Sequence, residues 1–285
     1  MVLKKAFTLI ELLVVIAIIA MVTAMLLPVV SRAKVTAQRT VCLSNMAELN
    51  LGCKMYTDDN GGELVSSWPA DATTANNVNA YCWCPGWAST QPPPAGQNQT
   101  AQYSCTNQSA LQQGKIWPYM NAANVYRCPA DARAVNGLPV VRSFSMNSWL
   151  NGSSQDDPTG VSTYPTPQND LTLTYTLFRR EGQILQPSTI WRLIEADAST
   201  IGDSMFLVDM GVNNQTPDLP STRHDNTYTL TFMDGHCEAV ALRAPVAQWD
   251  KIGADGADPD WLFLKSISTF TNKSGNVEGM RHSQN

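Results

Sequence analysis

Phe7-Thr8-Leu9-Ile10-Glu11-Leu12-Leu13-Val14-Val15-Ile16-Ala17-Ile18-Ile19-Ala20-Met21-Val22 opens an apolar run that continues to residue 30, with Lys4 and Lys5 before it and Arg32 and Lys34 behind it. About 20 apolar residues cross a hydrocarbon core as a helix, so residues 7–30 are long enough to anchor the chain in a bilayer. The two lysines ahead of the run favour a cytoplasmic N-terminus, and the two cations beyond it weaken that preference. Glu11 is out of place in such a run. An acidic side chain costs roughly 2.5–3.5 kcal/mol at the centre of a membrane helix, and neither a plain anchor nor a secretion signal gains from one. Glu11 therefore calls for a cationic partner. A cleaved secretion signal would also need a pair of small residues near its cut, and Met25-Leu26-Leu27-Pro28-Val29-Val30 offers none.

The segment Ala6-Phe7-Thr8-Leu9-Ile10-Glu11 resembles the cleavage and methylation motif of type IV prepilins and pseudopilins. The resemblance implies a leader over residues 1–6, a cut by prepilin peptidase between Ala6 and Phe7, and N-methylation of Phe7. It also implies that the freed amine of one subunit pairs with Glu11 of its neighbour as a filament assembles. Two charges that are each expensive in lipid then become a pair that helps set subunit register. Ala6 stands where this family usually has glycine; it is small, so the cut stays feasible though slower. Pro28, the twenty-second residue after the cut, falls where pilin helices often carry a proline that bends or loosens the helix.

Beyond residue 30 the pattern becomes amphipathic. Val35, Leu43, Met46, Leu49, Cys53 and Tyr56 recur at helical spacings among polar residues, and Thr57-Asp58-Asp59-Asn60-Gly61-Gly62 supplies turn chemistry that ends the helix. One helix is expected from residue 7 to about residue 56, its first part (7–30) in lipid or a filament core, its second (31–58) laid on a sheet. The remaining residues, 59–285, read as a β-rich head outside the cytoplasm. Short β-prone runs at residues 171–177, 189–194 and 227–232 are separated by Gly, Pro and Asn. Asp234-Gly235 reads as a hairpin turn with a return strand over residues 236–240. A long helix followed by strands is an α+β arrangement, and the resemblance makes it a pilin-like one, with the helix packed on an antiparallel sheet.

Two head segments carry a finer resemblance. His224, followed after nine residues by Asp234-Gly235, resembles the C-terminal His-x9-Asp-Gly motif of a large group of pilin-like proteins abundant in Planctomycetes, Verrucomicrobia and Lentisphaerae. Tyr126-Arg127-Cys128-Pro129-Ala130-Asp131, followed by Ser143-Phe144-Ser145-Met146-Asn147, looks like a mid-chain motif of the same group. The motif is a family marker with no chemistry attached to it by the resemblance.

Several residues invite a chemical reading. His224, Asp234 and His236 are ligand types that a hairpin could gather; the simpler alternative has Asp234 holding turn amides while His224 bonds across the hairpin. Asp255, Asp258 and Asp260 lie in a Gly-rich loop whose Gly-Ala-Asp-Gly opening resembles the calcium loop of major type II secretion pseudopilins, which makes Ca2+ a candidate cofactor. The loop lacks EF-hand spacing and a following bidentate glutamate, so a solvated acidic loop is the competing reading. Of the seven cysteines, Cys42 and Cys53 share a helix face too far apart to bond each other and read as small buried hydrophobes. Cys82, Cys84, Cys105 and Cys128 lie in loop-rich chain, where a disulfide joining Cys105 or Cys128 to Cys82 or Cys84 is expected. Trp68, Trp83 and Trp87 suggest a glycan-contacting surface as an alternative use of the same region.

Composition narrows the function classes. The 285 residues carry a net charge of −5 and no basic block or stripe, which argues against nucleic acid as a partner. There is no nucleophile elbow, His-Glu-x-x-His helix or phosphate loop, and three histidines are thin material for acid–base chemistry, so no enzyme is expected. The expected function is a structural subunit of a type II secretion or type IV pilus-like filament, single-pass in the bacterial inner membrane. Its partners are prepilin peptidase and further subunits. A membrane-anchored module displaying a ligand- or glycan-binding head is the alternative.

Overall fold

The computed structural model describes residues 9–68, 82–90, 105–151, 174–208, 218–243 and 259–272. Helix α1, Leu9–Asp59, is continuous through Pro28. Its buried residues Cys42, Met46, Leu49, Asn50, Gly52, Cys53, Tyr56 and Thr57 follow i, i+3, i+4 and i+7 spacing, one face of a 3.6-residue helix. Val35 and Leu43 flank that face half-buried. Short helices α2 (Ser109–Gln112) and α3 (Trp117–Met120) follow, and α3 packs on α1. Gly114, between them, has no room for a side chain. A Cβ there would sit on the Trp83 carbonyl oxygen.

The head is built on five strands in the order β6-β3-β5-β7-β8. These are β3 (Phe144–Asn147), β5 (Trp191–Glu195), β6 (Met205–Phe206), β7 (Thr227–Phe232) and β8 (Cys237–Ala241). All neighbours are antiparallel except β6, which joins β3 in parallel. Among the described residues there are also two small ribbons: β1 (Ala134–Val135) with β2 (Leu138–Pro139), and β4 (Thr174–Tyr175) with β9 (Thr271–Asn272). The run at 171–177 thus gives a short peripheral strand, with residues 171–173 outside the described chain. The arrangement is α+β: a long N-terminal helix laid on a mainly antiparallel sheet.

Strand β7 shows why both faces of this sheet are dry. Its sequence Thr-Tyr-Thr-Leu-Thr-Phe alternates, but every residue is buried. Tyr228, Leu230 and Phe232 join a core with Trp261, Leu264 and Ile267 of helix α4 (Pro259–Ser268). Thr229, on the other face, meets Met46 of α1, its hydroxyl 2.8 Å from the Met46 sulfur. The second core lies on that side and contains Cys42, Met46, Leu49, Cys53, Trp83, Tyr126, Phe144 and Leu193. Polar pins fix α1 in place: Asn50 Nδ2 donates to the Phe232 carbonyl at 2.8 Å, and buried Arg192 donates to Asn50 Oδ1 at 2.7 Å. Leu193 sits fully buried in β5, between β3 and β7. Leu193→Ala is expected to lower stability by about 2–5 kcal/mol, read by denaturant unfolding of the full chain in detergent.

Candidate functional site

Two features stand out: the uncovered first half of α1, and a buried polar cluster where α1 meets the head. Residues 9–34 are all exposed, with Leu9 at 81% and Leu27 at 74% of full exposure. No membrane is needed to see the mismatch. A 22-residue apolar cylinder, about 33 Å long at 1.5 Å per residue, is covered by none of the described residues, and its length and composition suffice to cross a bilayer. Glu11 is exposed in the first turn of α1.

The cluster joins four distant segments: Cys42 of α1, Cys128 after a 3₁₀ turn (Ala123–Tyr126), Glu195 at the end of β5, and His224 just before β7. All four are 0% exposed, and their donor atoms lie within 4.8 Å of one another. Cys128 Sγ is 3.2 Å from His224 Nε2, which is 3.4 Å from Glu195 Oε2. The Ala130 N–H points at Cys128 Sγ at 3.3 Å. Pro129 between them restricts Cys128 to extended backbone, which helps form this tight knuckle. Its carbonyl accepts from Gln38 of α1 at 3.3 Å.

A second layer holds these groups. Arg223 Nη1 donates to Glu195 Oε1 at 3.1 Å, leaving Oε2 turned toward His224 and the sulfurs. Its other nitrogen lies 3.6 Å from Asp131 Oδ2. Asp131 is gripped by Arg133, whose Nε reaches Oδ1 at 3.0 Å and Nη2 reaches Oδ2 at 2.7 Å. Ser143 Oγ donates to Asp131 at 2.6 Å and accepts the Cys128 N–H at 3.1 Å.

The electrostatics follow from the contacts. A hydrogen bond from Cys42 stabilises the Cys128 thiolate and, with His224 and Glu195, outweighs burial to hold Cys128 down to about 4. Burial, with the charge on Cys128, pushes Glu195 up to about 7. Burial raises Cys42 well above an ordinary thiol. For His224 burial works toward the neutral ring, but the bond to Cys128 and the Glu195 charge prevail and raise it. Asp131 is lowered because Arg133 and Arg223 overcome its burial. Burial otherwise penalises a lone charge, so the cluster is held by mutual compensation.

Residues 1–27 match the family model described as the prokaryotic N-terminal methylation motif. The chain carries a prepilin-type N-terminus. With its long apolar helix and β-sheet head, it is pilin-like in architecture, and the motif implies processing by prepilin peptidase. No curated protein and no solved structure matches it.

The structure redistributes the chemical residues of this chain. Ala6 and Phe7 lie outside the described residues; Pro28 lies inside the exposed stretch of α1. Asp234 and His236 form their own exposed pair, 2.6 Å apart, at the β7–β8 turn. Asp234 also accepts the His236 N–H, Gly235 turns the chain at φ +102°, and the His236 ring stacks on Phe232. His224 is not with them but with Cys128, so the first residue of the 224–235 segment, and not its Asp234-Gly235 end, meets the Cys128 segment. Asp255 and Asp258 lie outside the described residues. Asp260 is 2% exposed in the first turn of α4 and accepts the Arg243 N–H at 2.9 Å.

Two expectations change. The proposed disulfide between Cys105 or Cys128 and Cys82 or Cys84 is not formed: all seven cysteines are free thiols. Cys128 instead faces Cys42 and His224, while Cys82 contacts Ser204. Trp83 cannot serve a glycan surface, being 0% exposed, stacked on Tyr126 and bonded through Nε1 to the Ser204 carbonyl. Sequence reading missed Glu195 and gave Cys42 no polar role. A glutamate closing the β-prone run Trp-Arg-Leu-Ile-Glu was the available signal.

Proposed function

We propose that this chain is a structural pilin-like subunit, a pseudopilin, that is cut between Ala6 and Phe7, N-methylated at Phe7 and assembled into a type II secretion or type IV pilus-like filament. The observation that carries this reading is an uncovered apolar helix bearing Glu11 within residues matched by the methylation motif. An isolated subunit leaves that helix to lipid; in a filament, neighbouring helices bury it and the neighbour's methylated amine meets Glu11. Before assembly the chain sits single-pass in a bacterial inner membrane with its head outside the cytoplasm. The finer resemblance of the His224–Gly235 and Cys128–Pro129 segments supports placement in the Planctomycetes, Verrucomicrobia and Lentisphaerae group. The role is architectural; the Cys42, Cys128, Glu195 and His224 cluster has no exposed surface.

Shearing native cells and pelleting the released filaments tests the assignment. The chain is expected in the sheared fraction, and its incorporation is expected to stop when prepilin peptidase is deleted. Retention of all the chain in the membrane fraction of wild-type cells would contradict assembly and favour an anchored module displaying a binding head.

A further inference from the structure

We propose that Cys42, Cys128, Glu195 and His224 form a closed structural site for a divalent, thiolate-seeking metal ion of the Zn2+ class. The donor set is two sulfurs, one imidazole nitrogen and one carboxylate oxygen, drawn from four chain segments and all fully buried. Softness selects the ion: thiolates with imidazole suit Zn2+, whereas Ca2+ and Mg2+ take oxygen ligands. Geometry agrees. Bonds of about 2.3 Å to sulfur and about 2.0–2.1 Å to nitrogen or oxygen at tetrahedral angles separate the donor atoms by roughly 3.3–3.8 Å. The separation is 3.4 Å from nitrogen to oxygen, inside that range, and 3.2 Å from sulfur to nitrogen, just short of it, with all four donor atoms within 4.8 Å of one another.

The surroundings fit a metal better than they fit four independent core residues. Arg223 occupies Glu195 Oε1 and leaves Oε2 for the centre, the usual task of an outer partner that aims a carboxylate ligand. The Ala130 N–H bonded to Cys128 Sγ favours the thiolate form that a metal requires. With two thiolates, one carboxylate and a neutral imidazole, a divalent ion leaves a single negative charge, which Arg223 offsets. All four positions come from protein, so no site remains open for water, as in structural rather than catalytic zinc sites. A groove of about 500 Å³ lined by Val41, Asn45, Arg127, Cys128 and Pro129 lies beside the cluster.

A disulfide is the rival use of these sulfurs. A Cys42–Cys128 bond would spend both sulfurs on each other at about 2.05 Å. It would leave Glu195 paired with Arg223 and His224 but would take away the sulfurs that complete the donor set. The metal instead ties α1, the Cys128 knuckle, β5 and the segment before β7 into one unit. The handle of the subunit is thereby locked to its head, and this holds whether or not the chain assembles into filaments.

The test uses the full chain, extracted from its native membrane in detergent and purified without added metal. Elemental analysis is expected to give about one zinc per chain. Maleimide labelling of the folded protein is expected to reach Cys42 and Cys128 only after a chelator is added. The variants Cys42→Ser and Glu195→Gln should lose stoichiometric zinc, while His236→Ala, in the exposed turn, should keep it. If the variants fail to fold, wild-type protein stripped of metal and reloaded with Co2+ must show thiolate charge-transfer bands and the intense visible bands of tetrahedral cobalt. A Cys42–Cys128 disulfide-linked peptide in metal-free protein would overturn the proposal. So would full thiol labelling without chelator, or cobalt without a thiolate band.

Discussion

The Glu11→Ala variant is expected in the membrane at wild-type level but reduced at least tenfold in sheared filaments. A carboxylate at the centre of a membrane helix costs roughly 2.5–3.5 kcal/mol, a factor of roughly 60–300 in an equilibrium at about 1.4 kcal/mol per decade, and Glu11, in the first turn of α1, carries less than that full cost. In the lone subunit that cost opposes burial in lipid; in the filament the neighbour's N-methylated amine offsets it. Alanine removes the penalty on the monomer and the attraction in the polymer together, so both changes favour the unassembled state. The head should be untouched, because residues 9–34 are exposed and the sheet contacts begin further along α1. Limited proteolysis of the head should therefore match wild type. Normal incorporation of Glu11→Ala would remove the packing role assigned to Glu11.

The Asp131→Ala variant is expected to lose about 3–5 kcal/mol of stability, a fall in Tm of roughly 10 °C for a head of this size. Asp131 has no exposed side-chain surface, and it faces Arg133 and Arg223, whose side chains are only 10% and 11% exposed. Truncating it leaves two largely buried cations with one carboxylate, Glu195, between them, and frees the Ser143 hydroxyl that positions the Cys128 backbone. Breaking a buried pair in this way is far more damaging than losing a surface bridge such as Lys54–Asp58, whose partners are 42% and 60% exposed. The control is Asp234→Ala in the exposed turn, which should cost no more than about 1 kcal/mol. Thermal unfolding of both variants decides the matter; equal small losses would mean that Asp131 is not the hub of this network.

Local chemistry made much of the fold legible. The apolar run with its single glutamate, the helical stripe through Met46, Leu49, Cys53 and Tyr56, and the Thr227–Phe232 strand with its Asp-Gly turn are all set by neighbours within a few residues. Period and turn preference suffice to read them. Strand β3 escaped because Phe-Ser-Met-Asn, although it alternates apolar and polar, is only four residues long and holds one β-prone residue, Phe144. The β3–β6 parallel pairing depends on contacts between residues 146 and 205, which no local pattern encodes.

The cluster was half legible. His224 and Cys128 belong to segments that could be singled out by resemblance, but their meeting requires the folded sheet to close a gap of 96 residues. Cys42 looked like an ordinary apolar position on a helix face, since a buried thiol and a buried ligand leave the same periodicity. Glu195 was hidden for the opposite reason. A charge at the end of a strand reads as solvent-facing until both faces of the sheet are seen to be covered. Cysteines in loop-rich chain suggested disulfides because spacing alone cannot separate a crosslink from a ligand.

The most direct test of the central claim is intact mass with N-terminal sequencing of the protein extracted from its native membrane. The chain is expected to begin at N-methylated Phe7. A chain beginning near Ser31 would show a cleaved secretion signal and contradict the assembly role of the first helix. A chain that keeps residues 1–6 would show that Ala6 is not cut, leaving a fixed anchor in place of a filament subunit.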